Sequence, residues 1–257
     1  MTLSYIVAGF GVGILVGLTG VGGGSLMTPL LTLLFNVVPG VAVGTDLAFA
    51  SITKVAGTAA HRYRGTVHWD IVRLLCLGAL PAAVVATLGL KQFGALTPEI
   101  GQIIRYSIAG SVALTVVALL FRSRMQAWLT AHPEKHLHGK SLAAATIISG
   151  ILLGVLVTVS SIGAGAVGAT LLVLLYPKLS PAEIAGTDIA YAVPLTAIAA
   201  FGHWWLGSID WLLLGTLLIG SVPGITIGSL AARKVPEKFL RGLLALILTT
   251  VAVKLVF

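Results

Sequence analysis

The chain has 257 residues, 57% of them hydrophobic and only 9% charged, with a mean hydropathy of +1.05. That leaves too little polar surface to face water as a globule, so a soluble enzyme or binding domain is excluded and an integral membrane protein is expected. The net charge of +8 does not argue for nucleic acid, because most basic residues fall at span ends, where membrane topology favours them.

The first residues, MTLSYIVAGF, lack the basic region and small-residue cleavage site of a signal peptide, so the amino terminus is expected to remain. Residues 4–35 are apolar and long enough for a hydrocarbon layer of about 30 Å. They are interrupted by GLTGVGGGSLMTP (17–29), whose five glycines and proline weaken a helix. Three uninterrupted spans follow at 39–61, 68–90 and 98–121. The polar stretch RSRMQAWLTAHPEKHLHGK then reads as a cytosolic linker over 122–141. Its histidines, His132, His136 and His138, have no carboxylate or cysteine partners at ligand spacing, so a solvated linker is expected rather than a metal site. A second broken segment, 142–176, leads into spans at 181–203, 209–232 and 237–257. Cys76 is the only cysteine, which rules out internal disulfides and suits a small buried residue.

The two series are one pattern repeated. Sliding the chain by 142 residues sets VGTDLAFA on AGTDIAYA and pairs His61 with His203, Gly65 with Gly207, Trp69 with Trp211, Gly78 with Gly220 and Pro81 with Pro223. One residue less of offset pairs Gly13, Gly22 and Gly24 with Gly154, Gly163 and Gly165. The expected organisation is therefore a first repeat over 1–121, the linker, and a second repeat over 142–257, all-α throughout. Lysine and arginine mark the cytoplasmic side. If both broken segments cross the membrane, the faces collect eight and seven basic residues, with no bias. If both are re-entrant hairpins, Lys91, Arg105 and Lys254 share one face, twelve share the other, and Lys54 lies within a span. The hairpin arrangement is expected, and it makes the halves inverted repeats with both termini outside.

Inverted repeats with interrupted segments are a transporter signature, because non-helical backbone at membrane depth survives only in protein or in a wet cavity. Turns at 20–25 and 161–166 would let half-helices starting near Ser25 and Ala166 aim their positive ends at an anion. Candidate substrate ligands are Gly22, Gly23, Gly24, Ser25, Ser160, Ser161, Gly163 and Gly165, with hydroxyls from Thr45 and Thr187. Gly9, Gly13 and Gly17 read instead as helix-packing glycines. GAGAVG at 163–168 fits a dinucleotide fingerprint, with Asp188 twenty residues on, but no soluble strand, turn and helix surrounds it.

Three ionisable residues fall deep in spans: Asp46, Asp188 and Lys54. Lys54, about 22 Å into its span, either touches substrate or snorkels to the interface; its repeat partner is Thr196. Asp46 and Asp188 either carry protons or hydrogen-bond backbone freed by the broken segments from within a GTD turn. His61 and His203 sit near span ends, as interfacial residues or a proton relay. Trp69, Trp204, Trp205 and Trp211 fit interfacial belts.

GVGGGSLMTPLL, GTDLAFASITKVAGTAAHRYRGTVHW and GTDIAYAVPLTAIAAFGHWWLGSIDWLLLG together resemble the sulfite exporter TauE/SafE family over essentially the whole chain. The resemblance implies a multi-pass carrier of the bacterial inner membrane. Its substrates would be small sulfur-containing anions such as sulfite or organosulfonates, with efflux coupled to or exchanged with protons. An anion channel and a carrier of non-sulfur organic anions are the alternatives, with a scaffold behind them. No cofactor is expected, and the intramembrane ionisable residues offer neither a nucleophile–base pair nor a metal cluster for an enzyme. Partners would be the anion and the lipid bilayer, with a homo-oligomer left open. The second repeat departs from the first, carrying Ser160 and Ser161 where the first has Thr19 and Gly20, and Ala166 where it has Ser25, so the half-sites need not be equal.

Overall fold

A computed structural model describes residues 2–19, 24–94, 97–132, 137–231 and 237–256, and these form ten helices and no strand. In chain order they are α1 (Thr2–Thr19), α2 (Gly24–Leu34), α3 (Pro39–Tyr63), α4 (Trp69–Phe93), α5 (Pro98–Ala131), α6 (Gly139–Ser160), α7 (Ala166–Leu175), α8 (Pro181–Trp205), α9 (Trp211–Ala231) and α10 (Glu237–Val256). Each expected uninterrupted span is one helix, and each broken segment is a long helix followed by a short one. Among the described residues, five helices are long and apolar enough to cross a membrane: α4, α6, α8, and the stretches Glu99–Arg122 of α5 and Trp211–Gly228 of α9.

Two expectations are corrected. GTD is no turn: both copies lie inside helices, in α3 and α8. The linker is largely helical too, because α5 continues through Ala131 and α6 already begins at Gly139. Residues 122–131 hold together by local contacts, with the Arg124 guanidinium 5.8 Å from the Phe121 ring and Trp128 stacked on His132. Proline follows His132 and forbids continuation. Helix starts follow the usual chemistry. Pro39, Pro98 and Pro181 open helices at the position where a missing N–H costs nothing. At α8, Ser180 Oγ accepts from Glu183 N (3.3 Å) while Ser180 N donates to Glu183 Oε2 (2.8 Å), a capping box.

The most extensive helix contacts join the two halves: α1 with α9, and α4 with α6. Glycines make them. A Cβ on Gly9 would strike the Leu217 carbonyl, and Cβ atoms on Gly220, Gly224 and Gly228 would strike those of Ile6, Phe10 and Ile14. In the second pair, Gly150 and Gly154 lie against the carbonyls of Leu75 and Ala79, and Gly78 against that of Ile147. Such approach permits Cα–H···O contacts and dense packing where lipid supplies no hydrophobic drive between helices. In both pairs rising numbers meet rising numbers, so the helices are parallel. By contrast α3 and α8 are antiparallel: Gly44 abuts His203 and Ser208, Gly57 abuts Ile189, and Gly186 abuts His61 and Thr66.

Helix α8 also runs parallel to α4. His68, just before α4, meets Glu183 near the start of α8, while Thr87 meets Gly202 and the Lys91 ammonium sits 3.5 Å over the Trp205 ring at the far ends. Since α6 and α8 both follow the direction of α4, the chain between them must return, and α7 does so. Tyr176 Oη, just after α7, lies 2.8 Å from Thr146 Oγ1 near the start of α6. The first half shows the related contact, with the Phe35 and Tyr5 rings 4.8 Å apart. At ten residues, about 15 Å, α7 is too short to cross hydrocarbon. The buried core includes Met27, Leu31, Phe49, Tyr191 and Leu195, while Leu77, Val85, Ile148 and Phe201 face outward as a lipid-facing surface would.

Gly220→Ala is expected to lower thermal stability in lipid nanodiscs by about 1–3 kcal/mol, because backbone cannot yield to the new methyl. Gly110, with open space around it, provides the control: Gly110→Ala should leave the melting temperature unchanged or slightly higher.

Candidate functional site

The site is built on the break between α6 and α7. Ser161 takes a left-handed conformation (φ 59°), and Gly163 and Gly165 follow at φ 129° and 143° before α7 starts at Ala166. Such angles are strained for any residue with a Cβ, so glycine is required at 163 and 165. The loop secures its own backbone, with the carbonyls of Gly163 and Gly165 accepting from Gly168 N (2.9 Å) and Ala169 N (2.8 Å). Ser160 Oγ ties the break to its surroundings: it donates to Leu156 O (2.7 Å), accepts from Ile162 N (3.2 Å) and lies 3.0 Å from Ser111 Oγ on α5. The corresponding residues of the first half, 20–23, lie outside the described residues, and Gly22 and Gly23 with them. Gly24 and Ser25 open α2, and the Ser25 side chain is likewise outside what is described.

Lys54 is buried at 5% exposure and donates from Nζ to the carbonyl of Ala164 (3.0 Å). Of the two readings of this lysine, snorkelling to the interface is therefore not what the structure shows. Asp46 on its own helix and Asp188 on α8 are the carboxylates whose charge reaches it.

The two aspartates have unlike surroundings. Asp46 Oδ2 accepts from Thr28 N (3.1 Å) and Thr28 Oγ1 (2.5 Å) on α2. Its Oδ1 has no hydrogen-bond partner among the described residues, and the buried Ser161 hydroxyl stands nearby, also without one. Among the described residues no such clamp is present on Asp188. The residue repeat-related to Thr28 is Ala169, which brings no hydroxyl. Asp188 Oδ1 and the fully buried Tyr191 Oη both lack hydrogen-bond partners among the described residues. Both converge above Gly168, where an added Cβ would collide with the carboxylate and come within 2.8 Å of the phenol oxygen. Arg122 of α5 adds a second positive charge acting on Asp188.

Other expected residues serve elsewhere. Thr45 Oγ1 accepts from Asp210 N and Thr187 Oγ1 from His68 N, both at 3.1 Å, so each stitches its helix to the loop after the opposite helix. His61 Nδ1 lies 2.8 Å from Thr66 Oγ1. His203, expected at an interface, is instead buried: its Nδ1 lies 2.9 Å from Ser208 Oγ and its Nε2 donates to Thr158 O (2.9 Å). The four tryptophans at 69, 204, 205 and 211 are exposed. Among the described residues no group of His, Cys, Asp or Glu could hold a metal ion. Thr28, Tyr191 and Arg122 were not singled out from the sequence. One signal for Tyr191 was there: tyrosine stands where the first repeat has Phe49, the kind of difference that breaks equivalence between half-sites.

Residues 5–255 match the family model described as sulfite exporter TauE/SafE. The chain is 35% identical over 256 residues to "Probable membrane transporter protein YjnA" of Bacillus subtilis, covering 100% of both chains. It is 28% identical over 233 residues to "Probable membrane transporter protein YdhB" of the same organism, covering 90% of this chain and 91% of the relative. It is also 28% identical to a "Probable membrane transporter protein" of Xylella fastidiosa over 274 aligned positions, covering 100% of this chain and 97% of the relative. No solved structure matches the chain.

Thr28→Val removes the hydroxyl clamp on Asp46 while keeping the Thr28 N–H, so thermal unfolding in nanodiscs should show a loss of about 1–3 kcal/mol. Thr28→Ser should restore most of it, and equal losses in both variants would deny the hydroxyl this role.

Proposed function

The chain belongs to the sulfite exporter TauE/SafE family of membrane transporters, and we propose that it is a secondary carrier of small sulfur-containing anions, sulfite or organosulfonates, whose flux is linked to protons. The observation that carries this reading is Lys54, a buried ammonium held against a broken backbone with carboxylates acting on it from two helices. A charge costs several kcal/mol to keep out of water. Fixing one at the break suits an anion that must itself shed water to cross. In the same loop Ser161 adds a buried hydroxyl with no hydrogen-bond partner among the described residues, and the start of α7 adds the positive end of its dipole. Asp46 or Asp188 supplies the proton link, while Thr45, Thr187, His61 and His203 hold the helices in place around the site.

The halves are read as inverted repeats, each contributing a re-entrant hairpin. Supporting this are the antiparallel α3 and α8, the parallel course of α4, α6 and α8, and the return of α7 to Thr146. The excess of basic residues then puts the end carrying Arg62, Arg64, Arg73 and Lys178 in the cytoplasm. Alternating access would come from one half rocking against the other.

Two experiments test the reading. In proteoliposomes, saturable flux of radiolabelled sulfite should respond to an imposed pH gradient, and Lys54→Ala should lower it by about tenfold or more while Lys54→Arg retains part of it. Flux equal to wild type in both variants would deny the lysine a role. For topology, single cysteines placed at Lys140, Lys178 and Gln92 in a Cys76→Ala background should react with an impermeant thiol reagent, the first two from one side and the third from the other. Labelling of Lys140→Cys and Lys178→Cys from opposite sides would sink the hairpin.

A further inference from the structure

Resting on the carrier reading above, we infer that Asp188, and not Asp46, is the carboxylate that takes up a proton when the anion binds, and that Lys54 and Tyr191 are the anion's ligands. The repeat makes the two aspartates equivalent in sequence; the structure makes them different in chemistry. Asp46 accepts two hydrogen bonds from Thr28 on one oxygen, one from backbone and one from a hydroxyl. Donors so arranged favour the ionised form and fix α2 against α3. A carboxylate in that role is a structural strut.

Asp188 Oδ1 has no such donor among the described residues, and positive charges act on the carboxylate instead. From the elements packed around it come Lys54 of α3 and Arg122 of α5. Its own helix supplies Tyr191, on which Cys76 of α4 also acts, and α7 sets Gly168 against both the carboxylate and the phenol. An ionised Asp188 therefore sets its negative charge against the positive charge of Lys54, and it competes with any incoming anion for that charge. Protonation ends the competition. The proton, arriving from water, goes onto a carboxylate oxygen, which changes from acceptor to donor, and the ammonium's charge is left for the cargo. Tyr191 Oη, buried beside Asp188 Oδ1 with no hydrogen-bond partner among the described residues, completes the set, since a buried hydroxyl left unpaired is costly unless a ligand meets it. Proton and anion thus bind together and move in the same direction, with a monoanion exchanging for the one negative charge that protonation removes.

The test uses the full chain in nanodiscs, with infrared spectroscopy through neutral pH, following the C=O stretch of a protonated carboxylic acid. Wild type should show one titrating band that Asp188→Asn abolishes, Asp188→Glu displaces and Asp46→Asn retains. A band lost in Asp46→Asn and kept in Asp188→Asn would overturn the assignment, as would no titrating band in wild type. Asp188→Glu keeps the test decisive should Asp188→Asn not fold. Proteoliposomes loaded with methanesulfonate, whose charge does not change over this range, provide the second arm. Wild-type affinity should fall as pH rises, because binding takes up a proton, and that dependence should vanish in Asp188→Asn. Tyr191→Phe should raise KM about tenfold without lowering thermal stability, the loss of one hydrogen bond to a charged ligand; an unchanged KM would remove Tyr191 from the site. Absence of both sulfite and methanesulfonate flux in wild type would sink the sulfur-anion reading, while the infrared band would still decide between the two aspartates.

Discussion

The hydrogen bond from Lys54 to the carbonyl of Ala164 joins two things hydrocarbon will not tolerate, a charge and a backbone outside helix. Each resolves part of the other's difficulty. The ammonium takes up a carbonyl that the left-handed and glycine conformations at 161–165 have turned out of helical pairing. The break in turn holds the ammonium away from lipid. Neither arrangement survives unless protein surrounds both, and the rest of the architecture supplies that enclosure: α5 through Ser111, α2 through Thr28, and α3 and α8 crossing antiparallel over them.

Enclosure at that depth needs helices closer together than ordinary side chains permit. Glycine rows on α1, α4, α6 and α9 provide it, by letting carbonyls of one helix approach the Cα atoms of the next. Each pair draws one helix from each half, so the halves interlock rather than sit side by side. The loops that close the crossing are tied in the same reciprocal way. Thr45 accepts from the loop before α9, and Thr187 from the loop before α4.

Within that near-symmetric frame, the substitutions that separate the two half-sites include Thr28 against Ala169, Lys54 against Thr196, Phe49 against Tyr191, and Gly20 against Ser161. Thr196 spends its hydroxyl on its own helix, donating to Ala192 O (2.8 Å). Polar function is thus distributed unevenly along a duplicated scaffold. One aspartate is clamped by Thr28, while the other meets Tyr191 above Gly168, and neither Asp188 Oδ1 nor that phenol has a hydrogen-bond partner among the described residues.

The sequence by itself determined much of this. Membrane character, two repeated halves, the position of every long helix and the glycine break after Ser160 were legible because they depend on composition and spacing along the chain. So was the expense of Asp46, Lys54 and Asp188, since a charge in an apolar span is costly wherever it points. Local pattern failed at the linker, where ordinary helix formers extended α5 to Ala131, and at His203, which a span-end position suggested was interfacial. Only the tertiary structure decided that Lys54 turns inward to Ala164, that Thr45 and Thr187 stitch loops, and that Thr28 claims Asp46 while Asp188 Oδ1 finds no partner among the described residues. Those outcomes depend on which residues of distant segments meet, and hydrogen-bond partners 18, 110 or 165 positions apart leave no periodic trace in the sequence.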